Sequence, residues 1–245
     1  MLITCVMGLD DRYFAEFQAA WVTYRIHRPQ LLENRWLFVC DGNAHGAEFW
    51  EAEIRSVVGR SVQFDVLVWT MQNVSQREKM LNGLSFGPTM CVETDWFVKI
   101  DCDSYCIGSD RPLWDESWFR SDVPFVASPW GYTKPARMID DLESWSKNVS
   151  LLRELPAVRY RPWNRRGLVY ARHNRVISFV YYGNTEWHRW ANSLCCQNGS
   201  VLPVPSQDTY YSWLASKVGN GWLAASMKKR GWAHSHRGVL QQKAG

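Results

Sequence analysis

The sequence predicts an α/β fold, a mostly parallel sheet with helices on both faces, and three observations predict it. Short apolar runs ending in turn residues recur through the first hundred positions. Between them, large apolar residues repeat at helical spacing. Strand and helix signals alternate one for one, the pattern of β-α-β units.

The elements follow in order. Leu2 to Met7 is an apolar run closed by Gly8, and Asp10 and Asp11 then stand as N-caps before Phe14, Phe17, Trp21 and Tyr24, which share one helical face. Arg35 to Cys40 (RWLFVC) is a second strand closed by the turn pair Asp41-Gly42, after which Trp50, Ile54, Val57 and Val58 mark a helix. Val62 to Trp69 (VQFDVLVW) is the third strand, and Gln76 to Leu84 is the helix after it. Trp96 to Ile100 (WFVKI) is the fourth strand and runs directly into Asp101. Beyond about residue 110 the alternation loosens. Pro124 to Trp130 reads as strand, and Met138, Leu142, Trp145, Val149 and Leu152 form a helix stripe. Pro156 to Arg166 reads as loop and Val176 to Tyr182 as strand. Trp187, Trp190, Ala191 and Leu194 mark a helix, and Ser206 caps a last one carrying Tyr210, Tyr211, Leu214 and Val218. No repeat and no low-complexity linker divides the chain. Residues 1–245 are therefore expected to form one domain, with a nucleotide-binding half over 1–110 and a substrate-shaping half over 111–245 that ends in a basic tail.

With 245 residues, 46% hydrophobic and 21% charged, the chain can build a substantial core, which excludes a disordered chain and a coiled coil. No apolar run approaches the roughly 20 residues of a membrane span, and the start, MLITCVMGLDDRYF, lacks the marks of a signal peptide. A soluble cytoplasmic protein is expected. Seven Cys without a C-x-x-C pair fit reduced thiols in that setting. A net charge of +4 is too small and dispersed to argue for nucleic acid. The exception runs from Lys228 to Gly245, where Lys228, Lys229, Arg230, Arg237, Lys243 and two His occur without an acidic residue. Such a stretch binds a phosphate, RNA or a membrane surface, or is simply a solvated end. Many of the 15 Trp serve a core, and an indole face also suits the C–H side of a sugar ring.

The sharpest local signal is Asp101-Cys102-Asp103, where a strand ends and a loop begins. Residues i and i+2 of a strand point the same way, so both carboxylates can converge beyond the strand's carboxyl end, where open α/β sheets bind ligands. Two close carboxylates repel unless a cation lies between them. Mg²⁺ and Mn²⁺ take such oxygen ligands together with substrate phosphates. A pair of loop-capping aspartates has the same local sequence.

Residues 93 to 108, ETDWFVKIDCDSYCIG, resemble the D-x-D segment of metal-dependent glycosyltransferases of the GT-A fold. The β-α-β-α-β lead-in, Arg77 and Lys79 upstream, Ser206-Gln207-Asp208 and the late His residues follow in that architecture's order. The resemblance implies a Rossmann-like GT-A domain that moves a sugar from a nucleotide-diphosphate donor, UDP-linked, to a hydroxyl acceptor with Mn²⁺ or Mg²⁺. It implies Asp103 as metal ligand, Asp101 as its helper, His234 or His236 as the third protein ligand, and Asp208 as the residue that deprotonates or holds the acceptor hydroxyl. The family's usual acidic pair reads Gln207-Asp208 here, one carboxylate short. The basic groups of the tail would fold over the diphosphate.

For the donor, Thr4, Met7 and Gly8 at the end of the first strand, Asp41 at the end of the second, Arg77 and Lys79, and the segment Asp101, Cys102 and Asp103 form the expected set. Asp41-Gly42 is equally at home as a plain turn, and Gln76 to Lys79 as a solvated helix face. Trp130 and Tyr132, in SPWGY, are sugar or acceptor platforms or loop packing. Two other readings stand beside this one. Gly83-Leu84-Ser85-Phe86-Gly87 matches a G-x-S-x-G elbow with Asp208 and His234 in hydrolase order, but a charged helical stretch precedes it where the elbow needs a strand. A non-catalytic carbohydrate-binding protein could keep the same fold.

Overall fold

The computed structural model describes residues 2–70, 91–130, 142–153, 155, 168–169, 175–197, 200–201, 207–218 and 221–234. The chain begins with β1 (Thr4–Leu9), α1 (Phe14–His27), β2 (Arg35–Asp41), α2 (Ala47–Val58), β3 (Phe64–Trp69) and β4 (Trp96–Ile100). After β4 come β5 (Ser104–Cys106), β6 (Phe125–Trp130), the single helical turn α3 (Ser150–Arg153), β7 (Leu168–Val169) and β8 (Arg175–Asn184). The last part holds α4 (Thr185–Ser193), β9 (Cys196–Gln197), β10 (Ser200–Val201), α5 (Gln207–Lys217), β11 (Trp222–Ala224) and β12 (Trp232–His234).

Eight strands form one sheet in the order β3-β2-β1-β4-β8-β6-β11-β7. β1, β2, β3 and β4 are mutually parallel, as the alternation of strand and helix requires. β8 runs antiparallel between β4 and β6, and β11 is parallel to β6. The carboxyl ends of β1, β2, β4, β6 and β11 therefore share one edge. Strands from both halves of the chain enter this sheet.

Side-chain alternation divides the core into two layers. Cys5, Met7, Trp36, Phe38, Trp96 and Val98 face α1 and α2, where Phe17, Trp21, Tyr24, Trp50 and Ile54 cover them. Val6, Leu37, Val39, Phe97 and Tyr181 face the other way, toward Ala191 of α4 and Tyr210, Trp213 and Leu214 of α5. Trp21, Trp36, Trp50, Trp213, Trp222 and Trp232 are all fully buried, so these six Trp serve the core. Burying one such ring contributes on the order of 3 kcal/mol.

Several boundaries differ from expectation. β1 continues past Gly8 to Leu9 because parallel pairing with β2 extends to Leu9 opposite Cys40. Asp10 does not cap α1; its carboxylate accepts from the Tyr13 N–H at 3.0 Å and closes the turn before the helix. The stripe from Met138 to Leu152 is not one helix: residues 142–146 are helical, a turn follows, and α3 is separate. The helix expected at Gln76 to Leu84 lies outside the described residues.

Candidate metal and donor site

β4 is buried along its whole length and delivers Asp101 and Asp103 at the shared edge. The alternation that sends Trp96, Val98 and Ile100 into the α1/α2 layer sends Phe97 and Lys99 to the other face. Asp101 is two residues beyond Lys99, and the Lys99 ammonium donates to its Oδ1. The chain then turns, with the Ser104 N–H donating to the Asp101 carbonyl at 2.9 Å, and enters β5.

β5 is fastened to α1 from two sides. The Tyr24 hydroxyl donates to the Ser104 carbonyl at 2.6 Å, and the Cys106 N–H donates to the Thr23 hydroxyl at 2.9 Å. β12 pairs antiparallel with β5, placing His234 opposite Ser104 and Trp232 opposite Cys106. Gly231 makes this return possible. Its φ of +86° is a left-handed conformation that favours glycine, and a Cβ there would stand 2.6 Å from the Ile107 carbonyl oxygen.

The turn before β12 is anchored by its own basic residue. The Arg230 guanidinium lies 4.2 Å from the Trp118 ring centroid, donates to the Pro112 carbonyl at 2.8 Å and stands 3.6 Å from the Asp115 carboxylate. Arg28, itself buried, donates to the Arg230 carbonyl at 3.0 Å. The chain is therefore pinned through Arg230 and on to His234.

The outcome is a compact cluster. His234 Nε2 lies 3.2 Å from Asp103 Oδ1, and one ligand atom each from Asp101, Asp103 and His234 lie within 4.8 Å of one another. Two carboxylate oxygens and an imidazole nitrogen at this separation suit a divalent cation. Burial pushes the Asp101 pKa up, with the Asp103 charge adding to it and Lys99 opposing, and the net direction is upward. Burial pulls His234 down, but its hydrogen bond to Asp103 and the charges of both aspartates reverse this, leaving its pKa raised. Cys102 is raised well above the usual thiol value by burial and by the flanking carboxylates, so it is an inert thiol between them.

The structure brings together Asp101, Asp103 and His234 of the expected residues and disperses others. Thr4 opens β1 at the opposite edge, opposite Phe97, and its hydroxyl is bonded to that of Thr94 at 2.9 Å. Met7 points into the α1/α2 core and is fully buried. Gly8 is one residue from the strand end and buried. Asp41 closes β2 on the right edge, where its carboxylate accepts from the Asn43 N–H at 2.9 Å in the turn. Trp130 ends β6 on that edge, and Asp208 stands second in α5. Arg77, Lys79, Ser85, Tyr132 and His236 lie outside the described residues.

Two features were missed in the sequence. Lys99 was detectable as a lone charge inside WFVKI, spaced two residues from Asp101. The other is a recess of about 300 Å³ at the carboxyl ends of β6 and β11, lined by Ser128, Ala224, Ala225 and Ser226. Ser128 shapes it by donating to the Ala225 carbonyl at 2.9 Å and accepting from the Met227 N–H at 2.7 Å.

No protein-family model and no curated protein sequence matches the chain. Among solved structures, the mannosyltransferase Ktr4p from S. cerevisiae is similar over 95% of this chain and 70% of its own, with 9% identity and a TM-score of 0.59. Its complex with GDP matches over the same shares at 8% identity and a TM-score of 0.57. Mouse xyloside xylosyltransferase 1 is similar over 92% of this chain and 85% of its own, with 12% identity and a TM-score of 0.48. At such identities the likeness to Ktr4p speaks to the fold, and the fold is that of GT-A glycosyltransferases.

Proposed function

We propose that this protein is a glycosyltransferase that moves a sugar from a nucleoside diphosphate donor to a hydroxyl acceptor with the help of Mn²⁺ or Mg²⁺. The observation that carries the reading is the cluster of Asp101, Asp103 and His234 at the carboxyl end of the central parallel strand of a GT-A sheet. Asp103 and His234 would hold the cation and Asp101 would assist. Bound there, a divalent cation would offset charge on the departing diphosphate. Arg77, Lys79 and the basic residues beyond His234, among them Arg237 and Lys243, with His236, are assigned to the same anion.

The remaining roles follow the sheet edge. Asp41 and Gly8 bound the nucleotide side, and the recess at Ser128 and Ser226, with Trp130 and Tyr132, is read as space for the sugar or acceptor. α5 precedes β11 in the chain, and Asp208 stands in its first turn. Asp208 is read as the group that takes or holds the acceptor proton. The division into a donor half, 1–110, and an acceptor half, 111–245, belongs to this proposal. So does a reducing, cytoplasmic setting, supported by the free thiols among the described residues, Cys5, Cys40, Cys91, Cys102, Cys106 and Cys195. Among the described residues no helix is long and apolar enough to cross a membrane.

An esterase built on Ser85 is less well supported, because a solved structure that this fold resembles is a mannosyltransferase. A thermal-shift comparison of UDP and GDP, each with and without Mn²⁺, tests the proposal. A nucleotide at about a hundred times its Kd should stabilise the protein by about 2.7 kcal/mol, and the shift should need both components. A protein indifferent to every combination would not be a transferase of this kind.

A further inference from the structure

Lys99 stands next to the end of a central strand, between Val6 of β1 and Tyr181 of β8, and it is 2% exposed. An ammonium in such a place is costly unless it is paired. Its neighbour on the same strand face is Phe97, and an apolar side chain would suit the interior there equally well. The partner that Lys99 takes is Asp101, the first carboxylate of the D-x-D pair, and alternation along the strand aims both residues to one side. A lysine serving the core alone would have no reason to meet that carboxylate.

We propose that Lys99 is a positioning residue of this site: its ammonium holds Asp101 Oδ1 and neutralises that carboxylate, so that a divalent cation is captured on Asp103 and His234 together with a nucleoside diphosphate rather than alone. The inference rests on the transferase reading above and deepens it. Two carboxylates and one ammonium carry a single net negative charge. That is a weak site for a bare cation, and one that does not repel a diphosphate as two unpaired carboxylates would. The pairing also fixes the Asp101 side chain before any ligand arrives, which lowers the ordering cost of binding.

The test is a titration of Mn²⁺ followed by the electron paramagnetic resonance signal of the free ion, with and without UDP. Lys99→Met keeps length and apolar bulk and removes the charge. It should tighten binding of Mn²⁺ alone by about tenfold or more, about 1.4 kcal/mol, and shrink the gain that UDP confers. Structural damage would not tighten binding. Unchanged or weaker Mn²⁺ binding in the folded variant would overturn the proposal. If Lys99→Met does not fold, Lys99→Gln decides, since it keeps a donor for the Asp101 carboxylate and removes only the charge. It too should bind Mn²⁺ alone more tightly than the wild type, whereas unchanged or weaker binding would overturn the proposal. A wild-type protein that takes up no Mn²⁺ even with UDP would instead fail the transferase reading, and the role of Lys99 with it.

Discussion

Phe97 and Lys99 stand two residues apart on one face of β4, and the molecule treats the polar groups beside them in opposite ways. At the start of the strand, His188 of α4 is fully buried, with its ring 5.0 Å from Phe97, 4.6 Å from Tyr211 and stacked at 5.8 Å on Tyr181. Its Nδ1 meets the Asn184 carbonyl at 2.8 Å, which makes that nitrogen the donor. Burial lowers its pKa to about 4, with the bond to Asn184 opposing. At the strand's end, Lys99 is equally buried but faces a carboxylate. Burial among rings makes a titratable group give up its charge, and burial beside an opposite charge lets it keep one. On the proposal above, the charged end serves a ligand and the neutral end serves packing.

The largest effect that would sharpen this contrast is at Asp103. Asp103→Asn should reduce transfer by about a thousandfold or more, because it removes several kcal/mol of cation-mediated charge stabilisation. Folding stability should barely move, since one of two repelling carboxylates is lost. Calorimetric titration with UDP and Mn²⁺ alongside thermal melting separates the two, and undiminished donor binding would remove Asp103 from the metal site. Next comes the acceptor group. Asp208→Asn should lower turnover by about 10² to 10⁴-fold with donor affinity intact, as loss of a general base does. A helix-start charge alone would cost a few tenths of a kcal/mol in stability and no activity.

The neutral end makes a prediction about pH. The unfolded chain protonates His188 near 6.5, whereas the folded one resists until about 4, so between these values the unfolded state binds more protons. Stability from this residue is fully present above pH 6.5 and is lost as pH falls toward 4, by about 3 kcal/mol in all. Urea unfolding across that range measures it. His188→Gln keeps a donor for the Asn184 carbonyl but cannot charge, so its curve should be flatter by that amount. An equally steep curve would mean that His188 is not held neutral.

The smallest expected effect is at the anchor of β12. Arg230→Ala should cost about 1–2 kcal/mol through the lost Trp118 and Pro112 contacts. It should also weaken metal-dependent UDP binding by several-fold, through the position of His234 alone. A variant with unaltered donor affinity would show that β5 holds β12 in place without Arg230.

Much of this arrangement was legible in the sequence because its causes are local. Periodicity marks β1 through β4 and their helices, since each strand and helix face must match its own burial, and Asp101-Cys102-Asp103 can be read at the end of an apolar run. The end of β1 was less legible because an apolar run does not show where pairing will begin and end, and pairing carried the strand beyond Gly8 to Leu9. β5 and β12 are three residues each, too short for a period, and exist only because they pair with one another.

By itself the sequence determined the alternation of strands and helices, the parallel sheet that follows from it, and the edge at which a carboxylate pair emerges. Only the tertiary structure decided that His234, more than a hundred residues later, would meet Asp103, and that Lys99 would neutralise Asp101. The physical reason lies in range. Burial periodicity and turn chemistry act between near neighbours in the chain, whereas register, the left-handed turn at Gly231 and the partner of a buried charge depend on segments that meet only once the core has formed.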